Sequence, residues 1–338
     1  MSYHDAINYL AQKTSVIELY DQLGGRVAVC PEWNGRVLTS TDGGLEGDSF
    51  GFVNVQAIDT DHYEDFGGED LWTISPLIHS FSVESIKENK AVLQRTLPMT
   101  DANGTHVEFH LTRSISMLNK RKIETFFDET VAESLEQENV SVVGFRSENA
   151  VWSQEKAWVA SRLRGMFNAS PHMVIIVATP PEDDFALEPP PETFPAEIDY
   201  LGGSPHGRIR HLPQALLIRA DGQGRCQTTM PCNAVPMVGA VERRSGTLTL
   251  WTFDLPGDSD EDVTRIYNSG RTHPDEQEIA AYYEVNCFSA TKKLHPEQSF
   301  TYSQCTLHIN ADNPTLDHLV RHLFSVSMEE ISRKMFRL

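Results

Sequence analysis

Residues 63–72 read Tyr-Glu-Asp-Phe-Gly-Gly-Glu-Asp-Leu-Trp, a run in which paired glycines let the backbone turn sharply and present Glu69 and Asp70 beside the indole of Trp72. Carboxylates that accept hydrogen bonds from hydroxyls, next to a ring that packs on C–H groups, are the combination a sugar calls for. The same acids also serve as ordinary turn decoration. Arg36 follows the Asn34-Gly35 turn and enters a strand with Thr39 and Ser40 behind it, and Ser49-Phe50-Gly51-Phe52-Val53-Asn54 comes next. Its guanidinium fork suits either a ligand oxygen or an internal ion pair. Arg146 and Asn149 share the segment Gly144-Phe145-Arg146-Ser147-Glu148-Asn149.

Glu284 lies in Ala281-Tyr282-Tyr283-Glu284-Val285-Asn286-Cys287-Phe288-Ser289. Strand alternation puts Tyr282, Glu284 and Asn286 on one face, opposite Tyr283, Val285 and Cys287. A carboxylate in that company either has a buried partner or is pushed by desolvation into the range used by a general acid or base. His206, Arg208 and Arg210 form a local basic cluster, which would contact an anionic sugar or phosphate or balance nearby acids. There is no glycine-rich phosphate loop before a helix, no Gly-x-Ser-x-Gly elbow and no histidine pair at metal spacing in a convincing helix. No cofactor and no metal site are expected.

These residues need a sheet to hold them. Short runs such as Val16-Ile17-Glu18-Leu19, Arg26-Val27-Ala28-Val29-Cys30 and Val107-Glu108-Phe109-His110-Leu111 alternate apolar with polar residues. Asn34-Gly35, Asp42-Gly43-Gly44, Asn103-Gly104 and Asp221-Gly222 supply the positive φ that reverses a strand without a crossover helix. Antiparallel sheet follows. Helical periodicity is confined to about residues 5–13 and 314–324, where Leu316, Leu319, Val320 and Leu323 share a face and Pro314 suits the first turn. Residues 179–197 pack six prolines and six acids and predict a long loop. Similar strand patterns flank that loop, so the expectation is one all-β domain over residues 1–338.

Of 338 residues, 28 are Lys or Arg and 48 are Asp or Glu, for a net charge of −20. That balance argues against nucleic acid and anionic membranes as partners, since both demand clustered cations. The five cysteines are odd in number and thinly spread, which fits reduced thiols in a cytoplasm. No segment approaches the roughly 18 apolar residues of a membrane span.

Taken in order, Asn34–Ser40, Ser49–Asn54, Gly67–Asp70, Leu163–Phe167 with Ser170-Pro171, Asp199–Gly202, Tyr267–Ser269 and Tyr283-Glu284 with Phe288–Ala290 resemble an uncharacterised bacterial family related to aldose 1-epimerases, the galactose mutarotases. The resemblance runs from about Tyr9 to Phe324. It implies a supersandwich of large antiparallel sheets with a sugar-sized groove, and a small-molecule carbohydrate as partner. In mutarotases a glutamate takes the anomeric proton while a histidine protonates the ring oxygen, and Glu284 matches the glutamate. Where the histidines would stand, this chain has Phe66-Gly67-Gly68-Glu69-Asp70 and Arg146-Ser147-Glu148-Asn149. The expected catalytic groups are therefore Glu284, Glu69 and Asp70, and the expected ligand contacts are Arg36, Asn54, Trp72, Arg146, Asn149, His206 and Arg208. Two readings stand side by side, a sugar epimerase and a carbohydrate-binding or sensing protein without turnover. The basic residues around His206 add a third, a lyase or hydrolase acting on a uronate-containing sugar. The sequence leaves the oligomeric state open.

Overall fold

The Asn34-Gly35 signal is realised as a pair of left-handed residues, with φ of 60° and 62°, that reverses β2 (Arg26–Cys30) into β3 (Arg36–Thr41) after the opening strand β1 (Ile17–Tyr20). The computed structural model describes residues 1–22, 24–60, 63–71, 80–101, 104–178, 208–232, 235, 237–255, 262–269 and 281–336. Trp72, His206 and the loop expected at 179–197 lie outside them. The chain continues through β4 (Phe50–Gly51), β5 (Gly68–Leu71), β6 (Ser82–Lys87), β7 (Lys90–Thr100), β8 (His106–Met117) and β9 (Ser141–Trp152). Next come β10 (Ala157–Val159), β11 (Arg162–Asn168), β12 (Met173–Ala178), β13 (Ile209–His211), β14 (Ala215–Arg219) and β15 (Cys226–Pro231). Last are β16 (Met237–Glu242), β17 (Thr247–Asp254), β18 (Val263–Asn268), β19 (Tyr282–Phe288), β20 (Lys292–Leu294) and β21 (Ser299–Asn310).

The strands form a nine-stranded sheet, ordered β1-β2-β3-β5-β11-β19-β18-β15 with β4 on β3, and a ten-stranded sheet, ordered β13-β14-β12-β16-β17-β21-β9-β8-β7-β6. Strands β10 and β20 pair apart. Among the described residues every strand pairing is antiparallel, as the turn signals predict.

Alternation then decides the layers. Val27, Leu163, Phe167 and Val285 of the nine-stranded sheet meet Phe109, Val151, Trp251 and Tyr302 of the ten-stranded sheet in one buried core. Each such side chain contributes about 1.5–3 kcal/mol on burial. On its other face the ten-stranded sheet carries Val174, Ile176, Leu250 and Leu307, covered by helices. These are α3 (Glu129–Leu135), α4 (Asn313–Phe324) and α5 (Met328–Met335), while α2 (Lys120–Glu124) shares with α3 the connection from β8 to β9.

The N-terminal helix α1 (Tyr3–Ala11) begins at a Ser2/Asp5 capping box and packs Leu10 with Cys30, Trp33 and Leu38 on the outward side of the nine-stranded sheet. Helix α4 takes Asp312 as its N-cap and Pro314 in its first turn. Helices α2, α3 and α5 fall outside the two helical stretches expected from periodicity. Their N-caps are Asn119, Asp128 and Ser327. Among the described residues no helix is long and apolar enough to cross a membrane.

Candidate functional site

The segment that enters β5 threads a narrow gap. Gly67 and Gly68 both take positive φ, 96° and 71°, and a Cβ on either would stand 2.1 Å from the Phe52 carbonyl oxygen or 2.3 Å from that of Val37. Only glycine passes there without strain. The next residues are already in extended pairing, Glu69 with Gly165 and Asp70 with Arg164, so their side chains leave opposite faces of the sheet.

Glu69 points inward and ties the two sheets together. It accepts hydrogen bonds from Ser147 of β9 and, at 2.9 Å, from the Thr306 hydroxyl of β21, and it faces Arg113 of β8 at 3.4 Å. Burial raises its carboxyl above the ordinary range, and Arg113 only partly offsets this. Arg113 in turn donates to the Gly35 carbonyl at 2.9 Å and to Asn149 at 2.8 Å.

Asp70 points outward into a lattice of alternating charge. Arg36 of β3 reaches it at 2.8 Å and also donates to the Gly67 carbonyl at 3.2 Å. Arg164 of β11 bridges Asp70 and Glu284, at 3.5 Å to each. The other oxygen of Glu284 receives Asn286 Nδ2 at 3.0 Å and Arg162 at 3.4 Å. Arg162 reaches Asn286 Oδ1 as well, at 2.9 Å. The order across four strands is thus Arg36, Asp70, Arg164, Glu284, Arg162. Burial, reinforced by the neighbouring Arg164, pushes Arg162 down to about 10, which leaves it charged at neutral pH.

Aromatic and apolar side chains border this lattice. Phe52, Met166 and Tyr282 form a small cluster with Tyr267 packed on it. Phe52 stacks on Tyr282 at 5.7 Å, and Tyr267 stands 6.0 Å from Tyr282 and opposite Glu284 in register. Burial raises both phenols above the ordinary tyrosine range, and Glu284 adds to the rise.

The expected catalytic groups Glu69, Asp70 and Glu284 and the expected ligand contact Arg146 do not meet at one place. Asp70, Glu284 and Arg36 come together. Glu69 lies in the layer between the sheets with Asn149, whose amide is held by Arg113 and by the Tyr302 carbonyl. Arg146 alternates out of that layer to the far face of the ten-stranded sheet, where it meets Glu148 at 3.5 Å and Ser303 at 3.0 Å. Asn54 is a turn residue: its amide donates to the Asp65 carbonyl at 2.8 Å, and its oxygen accepts from the backbone of Gln56 and Ala57. Arg208 pairs with Asp221 at 2.5 Å.

Arg162 and Arg164 were not singled out in the sequence. Their signal was there, as charges two apart in the strand Arg-Leu-Arg-Gly-Met-Phe, which put both on the face of Met166. Among the described residues no cluster of His, Cys, Asp and Glu has the makings of a metal site.

The family model described as "Family of unknown function (DUF6786)" matches residues 1–83 and 71–335. The chain belongs to this family. No sequence among curated proteins matches this DUF6786 member. Its fold is shared with solved structures at low identity. A candidate aldose 1-epimerase from Escherichia coli K12 superposes with a TM-score of 0.56 at 8% identity, covering 88% of this chain and 99% of that one. A galactose mutarotase-like protein from Lactobacillus casei gives 0.51 at 8% identity, covering 87% and 100%. The DUF6786 member therefore has the galactose mutarotase-like architecture of large stacked antiparallel sheets, as the family resemblance implies.

Proposed function

We propose that the outward face of the nine-stranded sheet binds a carbohydrate and that Glu284 takes the anomeric proton in a mutarotase-type reaction. The observation that carries this reading is the placement of Glu284. It sits on an outward sheet face, its carboxylate held at both oxygens, with Tyr282 and Tyr267 beside it, in a fold shared with a galactose mutarotase-like protein. Hydroxyl groups of a sugar would exchange hydrogen bonds with the carboxylates and guanidinium groups, and its C–H face would pack on the tyrosines. Loss of the anomeric proton to Glu284, with a proton delivered to the ring oxygen, opens the ring and lets it close on the other side. Tyr267 stands opposite Glu284 and holds its proton at neutral pH, so in this reading it takes the place of the acid. A cytoplasmic location, with the five buried cysteines as free thiols, belongs to the same reading.

A second reading is carbohydrate binding without turnover. It is favoured by the side chains that share this face among the described residues, which include arginine, asparagine and tyrosine but no histidine beside Glu284. Ligand-observed NMR with a panel of free aldoses, in which anomer exchange is followed in the same tubes, separates the two. The mutarotase reading expects Glu284→Gln to remove catalysed exchange while affinity stays within about tenfold, because the amide keeps the shape but cannot take a proton. Binding with exchange no faster than buffer in the unaltered protein leaves the binding reading in place.

A further inference from the structure

The chain has a net charge of −20, yet the outward face of the nine-stranded sheet carries Arg36, Arg162, Arg164, Arg225 and Arg265. Among the described residues, Asp65, Asp70 and Glu284 act on Arg36 and Arg162. Three of the arginines are spoken for by the lattice around Asp70 and Glu284.

Arg225 and Arg265 differ in their ion pairing. Among the described residues no carboxylate lies within ion-pair distance of either; the Nε of each is buried without a hydrogen-bond acceptor, as it is in Arg36 and Arg164. Arg265 stands opposite Asn286 in register and 4.8 Å over the Phe288 ring, while Arg162 stands 5.1 Å from the same ring. Arg225 precedes β15 and continues the alternation of Gln227 and Thr229, which lie opposite Tyr267 and Arg265. Its cation opposes the rise that burial imposes on the Tyr267 phenol. Guanidinium groups crowded on one surface repel one another, and a buried N–H without an acceptor costs stability. An oxyanion placed between them removes both penalties, and the planar fork of arginine matches carboxylate and phosphate oxygens.

We propose that the carbohydrate bound at this face carries an anionic group, a carboxylate or a phosphate, held by Arg265 and Arg225 with the anomeric end toward Glu284. The assignment rests on the carbohydrate reading above and adds the charge of the substrate to it. Glu284 and Arg265 are diagonal neighbours on adjacent strands, so one sugar ring spans from the reacting carbon to the charged substituent. Tyr267, opposite Glu284 and two residues along β18 from Arg265, shares their face and would pack against the ring.

Calorimetric titration of the full chain with D-glucose, D-glucuronate, D-glucose 6-phosphate and inorganic phosphate tests this, at low salt and again at high salt. At least one of the two anionic sugars is expected to bind tenfold or more tighter than glucose, and added salt is expected to weaken it selectively. The preferred anion tells carboxylate from phosphate. Arg265→Gln should weaken the anionic sugar by about tenfold to a hundredfold, and by clearly more than it weakens glucose. Arg265→Lys, which keeps the charge and loses the fork, should fall between. Arg225→Gln, at a half-buried position, provides the same reading if the first variant does not fold.

Glucose binding as tightly as both anionic sugars overturns the anion assignment and leaves the carbohydrate reading intact. Inorganic phosphate binding as tightly as glucose 6-phosphate shows that the sugar contributes nothing and overturns the proposal. Failure of all sugars to bind overturns the carbohydrate reading and this inference together.

Discussion

Glu69 and Asp70 are adjacent carboxylates with opposite tasks, and each task has its own test. Asp70 holds Arg36 and Arg164, and all three side chains are almost fully buried. Its replacement by Ala leaves two cations without their shared partner, so a loss of about 3–5 kcal/mol in unfolding free energy is expected. A loss below 1 kcal/mol would show that water already balances these arginines. Glu69 carries a pH signature. Because burial raises its carboxyl in the folded state, the folded chain keeps this proton after the unfolded chain has released it. Stability therefore falls as pH rises from the ordinary glutamate range through the folded-state value. Glu69→Gln lacks this titration, and its stability relative to the unaltered protein should improve over the same rise in pH. Denaturant unfolding of both proteins from pH 4 to 8 measures the difference, and a flat or opposite trend contradicts the assignment.

Strand β5 owes its position to Gly68, whose Cβ-less passage under Val37 brings Asp70 into line with Arg36 and Arg164. Gly68→Ala combines a left-handed backbone with a collision against a carbonyl, and a loss of more than about 2 kcal/mol is expected. Gly44→Ala is the control. Gly44 has a φ of 68° and nothing within 4 Å of a built Cβ, so it reports backbone strain alone and should cost about 1 kcal/mol. Equal thermal shifts in the two variants would remove the collision from the account.

Elements of this kind were legible to different degrees. The turn at Asn34-Gly35 and the shared face of Tyr282, Glu284 and Asn286 follow from local rules, φ preference and strand alternation, that need no knowledge of neighbours. The separation of Glu69 from Asp70 obeys the same alternation, yet the Gly67-Gly68 pair made the whole segment read as a turn when the strand begins at Gly68. The lattice was illegible because its members lie at 36, 70, 162, 164 and 284, and only strand order brings them together. Helices α2 and α3 are too short, at five and seven residues, for periodicity to register.

At the scale of the molecule, β11 is the keystone of the outward face. It pairs with β5, about ninety residues earlier, and with β19, about one hundred and twenty later, through registers that fix Arg164 between Asp70 and Asn286. Pairing over such distances is slow compared with the β7–β8 hairpin and the short-range β8–β9 pairing. In refolding experiments the far-UV signal should therefore recover before the sugar binding proposed at Glu284, with a lag visible in stopped-flow recordings. Simultaneous recovery of both would mean that the long-range pairing is already present in the earliest sheet. The same order carries over to the ribosome. A nascent chain that has released β11 but not β19 has Arg164 and Asp70 without Glu284, so under the proposed function translation must pass Phe288 before a sugar can be gripped. A message cut short anywhere upstream yields a fragment whose outward face lacks Glu284 altogether.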